Sequence, residues 1–171
     1  MSDLQSATFR VNTREDVVSV LISGKANYMN CNDFRIFLHQ MLACGRKQFV
    51  IDFAQCTGMD STFLGILAGT AIELREAASP GTLIVQHLSE RNHELVVNLG
   101  LHNLLTVISG PAAGKCGQEQ MDYDSLSEGV VAETRTVLEA HENLVRADTG
   151  NHDKFEDVIS FLKNQVDSKE S

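Results

Sequence analysis

The sequence contains no tryptophan and only two prolines in 171 residues, and its 14 Lys and Arg are outnumbered by 23 Asp and Glu. With 43% hydrophobic and 22% charged residues, the chain lies outside the composition range of disordered proteins. A net charge of −9 argues against nucleic acid and anionic membrane surfaces as partners, because Lys and Arg are what hold phosphate. The cysteines, Cys31, Cys44, Cys56 and Cys116, form no CxxC pair and have no His companion at zinc spacing. They read as free thiols of a reducing compartment. The first residues show no basic-then-apolar leader, and the uncharged run from Ser61 to Ile72 is too short to cross a bilayer. A cytoplasmic location is expected.

Signatures of chemistry are missing as well. There is no GxxxxGK[ST] or GxGxxG phosphate loop, no GxSxG nucleophile turn, and no HxxxH or HExxH spacing among His39, His87, His93, His102, His141 and His152. Neither a metal nor another cofactor is implied. An enzyme reading would rest only on the capacity of α/β folds to host one, so a non-enzymatic protein is expected.

What is present is a periodic pattern. Phe9 to Asn12 and the β-branched run Val17 to Ser23 read as two strands joined by a turn at Arg14-Glu15-Asp16. Phe34, Phe37, Leu38, Met41 and Leu42 then follow helical spacing, with Asn32 or Asp33 as a cap and Gly45 as a stop. Phe49 to Phe53 is a short apolar run of the kind covered on both faces of a sheet. A second helix starts near Ser61, with Leu64, Leu67, Ala68, Ala71 and Leu74 on its inner stripe, and ends at Ser79-Pro80-Gly81. A strand from Thr82 to Gln86, a helix closing at Gly100 and a strand from Leu105 to Ile108 complete the order ββαβαβαβ. That order implies a largely parallel sheet with right-handed crossovers and helices on one face.

Composition shifts near Pro111. Residues 1–110 carry 8 basic and 10 acidic side chains, residues 111–171 carry 6 and 13. The expected organisation is a domain over 1–110, a linker over 111–124 and a two-helix extension over 125–171. Val130, Val131, Thr134, Val137, Leu138, His141, Leu144 and Val145 form one helical stripe; Phe155, Val158, Ile159, Leu162 and Val166 form another, and Gly150 separates them. Such a helical hairpin must bury its apolar side against the main domain or another subunit.

The most informative stretch is Cys56-Thr57-Gly58-Met59-Asp60-Ser61-Thr62-Phe63-Leu64-Gly65, in which a strand passes through a turn into a helix that begins with Asp and Ser. A plain helix cap explains it. So does a modification site, since phosphate on a hydroxyl at a helix N-terminus meets free N–H groups and the positive end of the dipole. Asp60 serves either as the cap or in ordering a phosphate donor's metal. Thr62, Gly65, Gly69, Glu73 and Glu76 fall on the outer face of this helix, where Gly65 and Gly69 either admit a partner closely or relieve local crowding. Cys56 reads as a buried strand-end thiol.

Asp60-Ser61 followed by Leu64-Gly65, the strand Phe49 to Phe53 just before them, and Leu99-Gly100-Leu101 before the last strand together resemble the STAS domain of anti-sigma factor antagonists and sulphate transporters. The resemblance covers about residues 7–110 and does not reach the C-terminal hairpin. It implies that Ser61, with Thr62 and Thr57 as alternatives, accepts phosphate from a partner that is both anti-sigma factor and serine kinase of the GHKL type. The unphosphorylated form would bind that partner and free a sigma factor. A phosphatase would reset the switch. Asp60, Ser61, Thr62, Gly65, Gly69 and Asn27 are then the expected partner-binding residues. The chain departs from the family at Thr62-Phe63, where antagonists carry Ser-Gly, at Gly58, often a bulky apolar residue, and at Asn27, usually acidic. The alternative is a constitutive STAS scaffold, homodimeric through its C-terminal helices.

Overall fold

The computed structural model describes residues 8–108, 122–126 and 130–170. Cys116 and most of the expected linker lie outside the described residues. The elements run β1 (Phe9–Asn12), β2 (Val17–Ala26), α1 (Asn32–Ala43), β3 (Gln48–Met59), α2 (Ser61–Glu76), β4 (Thr82–Gln86), α3 (Glu90–Asn98), a 3-10 turn (Leu101–Asn103), β5 (Thr106–Ile108), β6 (Asp124–Ser125), α4 (Thr134–Ala147) and α5 (Asn151–Glu170). The six strands form one sheet in the order β5-β4-β3-β2-β1-β6. The pairs β2–β3, β3–β4 and β4–β5 are parallel, and β1 is antiparallel to both its neighbours. The mixed, largely parallel sheet with helices packed on it and a C-terminal hairpin is the architecture that the element order implies.

Alternation along the strands decides what is buried. Val18, Val20 and Ile22 of β2, Phe49, Ile51 and Phe53 of β3, and Leu83 and Val85 of β4 are each at most 2% exposed, and they join Phe34 and Leu38 of α1 and Phe63, Leu64 and Leu67 of α2 in one core. At its centre the Phe9 and Phe34 rings stack with centroids 4.7 Å apart, and Phe63 lies within 5.5 Å of Phe34 and 6.2 Å of Phe53. Phe63 thus ties the first turn of α2 to the sheet and to α1.

Three local details differ from the sequence reading. Helix α1 is capped by Cys31 with no side-chain hydrogen bond, not by Asn32 or Asp33. The turn at Asn27–Asn30 already directs Cys31 N–H to the Asn27 carbonyl and the Cys31 carbonyl to Arg35 N–H, so the helix starts one residue earlier. Strand β3 runs on to Met59, because β2 extends to Ala26 and pairs with it as far as Ala26 opposite Met59. Asp124 and Ser125 add a sixth strand beside β1, opposite Val11 and Arg10. Gly100 closes α3 in the left-handed region at φ 72°, as its position after Leu99 suggests.

Helix α4 lies across α2, and α5 folds back on α4. Ala140 and Leu144 of α4 are 1% and 0% exposed and belong to the main core, while Leu138, Leu162 and Val166 make a second cluster between α4 and α5. The hairpin's apolar stripe is therefore buried within the chain only in part: Val130 and Val131 precede α4 instead of belonging to it and are 55% and 52% exposed, and Val158 of α5 is exposed as well. Helix α2 is in consequence covered on two sides, and Thr62 to Ala68 are all buried.

Removing the ring that links these layers should be costly. Phe63→Ala is expected to lower stability by about 3–5 kcal/mol, measured as a shift of the urea midpoint, and Phe63→Leu by less.

Candidate functional site

The site grows from the turn between β3 and α2. Asp60 takes extended backbone angles and caps the helix: its Oδ1 accepts from Phe63 N–H at 2.9 Å, and its carbonyl accepts from Leu64 N–H at 3.1 Å. Its other oxygen, Oδ2, accepts from Tyr28 N–H at 2.9 Å, and Asp60 N–H donates to the Ala26 carbonyl at 3.2 Å. One carboxylate thus caps α2 and fastens the loop after β2. Both of its oxygens are engaged by backbone N–H groups. Asn27 organises the same loop: its Oδ1 accepts from Met29 N–H at 2.9 Å, and its own N–H donates to Asn30 Oδ1 at 3.0 Å.

Ser61 is the first residue of α2, at the positive end of the helix dipole. Its Oγ lies 2.8 Å from Nε2 of His141 on α4, a residue 80 positions away in sequence. The other ring nitrogen, Nδ1, is 2.7 Å from the Val137 carbonyl, which can only accept, so Nδ1 carries hydrogen. In the neutral ring Nε2 is then the acceptor, and Ser61 donates its hydroxyl proton. His141 is 4% exposed and meets Phe155 of α5 edge-on at 5.2 Å. On its open side Ser61 borders a groove between α2, α3 and α5 lined by Met59, Leu64, Leu95, Leu99, Lys154 and Phe155. Lys154 Nζ is held there by the Asn98 carbonyl.

The structure brings the sequence-selected residues into two groups. Asn27, Thr57 and Asp60 line a depression with Lys25 and Arg91, directly beside the Ser61 groove. Gly65 and Gly69 instead lie under α4, and Thr62 is buried. A Cβ on Gly65 would stand 2.1 Å from the Ala140 carbonyl oxygen, and one on Gly69 would stand 2.4 Å from Asn143 Nδ2. The two glycines therefore serve a close approach, and the element that approaches is the chain's own helix. Asn143 Nδ2 donates to the Gly65 carbonyl at 3.4 Å, sealing the crossing. His141 was missed in the sequence reading as a site residue; its only signal is a polar group on the otherwise apolar stripe of α4.

Thiol chemistry has little support. Burial pushes the Cys31 thiol up to about 12, with the Asp60 charge adding to the effect, and burial also raises Cys56, whose Sγ–H faces the Gly58 carbonyl at 3.4 Å. Both stay protonated and inert at neutral pH. Cys44 is exposed. Among the described residues the one cluster of three ligand-type side chains, His152, Asp153 and Glu156, is fully on the surface, and no helix is long and apolar enough to cross a membrane.

With this geometry in view, the comparisons with known proteins are informative. The family model described as "Mlab, STAS domain" matches residues 9–106, and the chain belongs to this STAS domain family. The matched region ends before α4 and α5. Among solved structures, the anti-sigma factor antagonist SpoIIAA in its unphosphorylated form aligns with a TM-score of 0.51 at 16% identity, over 60% of this chain and 89% of that one. The Bacillus cell fate determinant SpoIIAA in its phosphorylated form aligns at 0.50 and 18% identity, over 59% and 91%. A Thermotoga maritima protein assigned as an anti-sigma factor antagonist aligns at 0.54 and 16%, over 60% and 86%. At such identities the likeness establishes the shared fold. No curated protein matches the chain.

Two outcomes are expected from this geometry. Asp60→Ala should cost about 1–2 kcal/mol through loss of the cap, and amide exchange at Tyr28 should accelerate because its acceptor is gone. In the native protein at mildly alkaline pH, a soluble alkylating reagent should modify Cys44 well ahead of Cys31 and Cys56, as read by peptide mass spectrometry.

Proposed function

We propose that this protein is a non-enzymatic signalling module of the anti-sigma factor antagonist type, which binds an anti-sigma factor through the start of α2 and is switched by phosphate on Ser61. The observation that carries this reading is the placement of Ser61: first residue of α2, after a capping Asp60, in a fold shared with an antagonist solved both with and without phosphate. Helix N-termini favour added negative charge by about 0.3–1 kcal/mol or more, so the domain can carry the modification without unfolding. Transfer from a nucleoside triphosphate would replace the Ser61 Oγ–H bond with Oγ–P, releasing the nucleoside diphosphate and a proton. The expected enzyme is a GHKL-type serine kinase that is also the anti-sigma factor, with a phosphatase to reverse it, all in the cytoplasm.

Asp60, Asn27 and the exposed Tyr28 and Met29 beside them form the rest of the proposed contact surface. A dianion at its centre would add bulk and a charge that the partner must desolvate, and would weaken binding. Thr57, exposed at the end of β3, is the alternative acceptor with access to solvent; Thr62 is 4% exposed. In organisation, we assign residues 1–110 to the STAS domain and 111–171 to a linker and two-helix extension, with Asp124 and Ser125 returning to the sheet of the domain as β6.

A second reading, a constitutive scaffold that dimerises through its C-terminal helices, is favoured by one observation: Val158 and Phe161 of α5 are 40% and 62% exposed. Light scattering of the full chain separates it. A dimer mass that falls to that of a monomer in Phe161→Asp would support the scaffold.

The principal test is mass spectrometry of the protein from its native cell under phosphatase inhibition, focused on the tryptic peptide from Gln48 to Arg75. Phosphate on Ser61 is expected. Capture of an anti-sigma factor by the full chain should survive Ser61→Ala and fall at least severalfold in Ser61→Asp; equal capture by the two variants would reject the switch.

A further inference from the structure

The N-terminal turn of α2, which the proposed function requires to be accessible, is covered by the chain itself on its α4 side and opens only onto the groove that α5 helps to line. Helix α4 crosses α2 so tightly that Gly65 has no room for a Cβ against the Ala140 backbone. The Ser61 hydroxyl is hydrogen-bonded to His141 Nε2, and that ring is clamped between the Val137 carbonyl and Phe155. The turn between α4 and α5 is anchored separately: Asn151 Nδ2 donates to the Leu99 and Leu144 carbonyls at 2.8 and 2.7 Å, and Asp148 packs where a Cβ on Gly100 would otherwise stand. A hydroxyl bonded to a buried imidazole at 2.8 Å leaves no space for a phosphoryl group on that side. A partner helix cannot lie on Gly65 and Gly69 while α4 does.

We propose that the hairpin α4–α5 is an autoinhibitory cover: the closed chain ties the Ser61 hydroxyl to α4, narrows its groove with α5 and hides the glycine face of α2, and Ser61 and that face become fully available only when the hairpin lifts. The inference rests on the reading of Ser61 as the switch residue. In the closed form Ser61–His141 is the latch and the Gly65–Ala140 contact is the seat. Because Ala140 and Leu144 bury apolar surface on the main core, the closed form predominates at rest. A kinase or anti-sigma factor then binds with an affinity reduced by the fraction of open chain. The seat explains why α2 carries glycines at two adjacent turns, since each glycine costs helix stability that a close neighbour returns.

The test uses the full chain and loads the seat from the hairpin side, leaving α2 untouched. Hydrogen exchange by mass spectrometry compares wild type, Ala140→Leu and His141→Ala. Overpacking at Ala140 should speed amide exchange across α4 by about tenfold or more, and loss of the latch by about three- to tenfold, while β3 and β4 keep their wild-type protection. Unchanged exchange in α4 would overturn the proposal. So would loss of protection in α4, β3 and β4 together in both variants, because the hairpin would then be an inseparable part of the domain. The same variants expressed in the native cell should show Ser61 phosphate occupancy several times that of wild type. A hairpin that lifts with no phosphate on Ser61 in any variant would refute the switch reading and leave the cover standing; phosphate on Ser61 with an immovable hairpin would do the reverse.

Discussion

Helix α2 is apolar almost all the way round, and a helix of that kind has to be covered on two opposite sides. The sheet covers the side that carries Phe63, Leu64 and Leu67, and α4 supplies the other cover through Ala140 and Leu144. The second cover is tight only because Gly65 brings the two backbones together. From this crossing follow the seating of the hairpin turn on Gly100 and the meeting of Ser61 with His141.

The same crossing links stability to the proposed signalling role. A switch residue has to be reachable, and a helix N-terminus at the end of a parallel strand is among the most exposed positions of an α/β layer. Here that position is half-buried, capped by Asp60 from one side and bonded by His141 from the other. The Asp60 carboxylate makes the turn rigid by spending both oxygens on N–H groups of separate elements. The hydrogen bonds that fix the turn lie within the STAS domain, whereas the cover over α2 is a helix that the family model does not include.

Much of the domain was legible beforehand because its signals are local. Short β-branched and apolar runs announced β1 to β4, the Asp60-Ser61 start and the Gly100 stop announced helix ends, and the order of elements implied parallel crossovers. What was missed had weaker signals. The two-residue strand β6 has no periodicity to read. The Cys31 cap carries no side-chain bond, and the early start of α1 came from backbone bonds of the Asn27–Asn30 turn. Gly65 and Gly69 did signal a close approach, but glycine spacing does not say which element approaches.

The amino-acid sequence by itself therefore determined the elements, their order, the core-facing rows, the Asp-Ser helix start and the existence of an amphipathic hairpin, all of which depend on neighbours within a few residues. Only the tertiary structure decided that the hairpin folds onto α2, that Gly65 and Gly69 receive it, and that the imidazole of His141 holds the hydroxyl of Ser61. Those are contacts across some 80 residues. They are set by which apolar faces fit when the whole chain packs, and no local pattern encodes that fit.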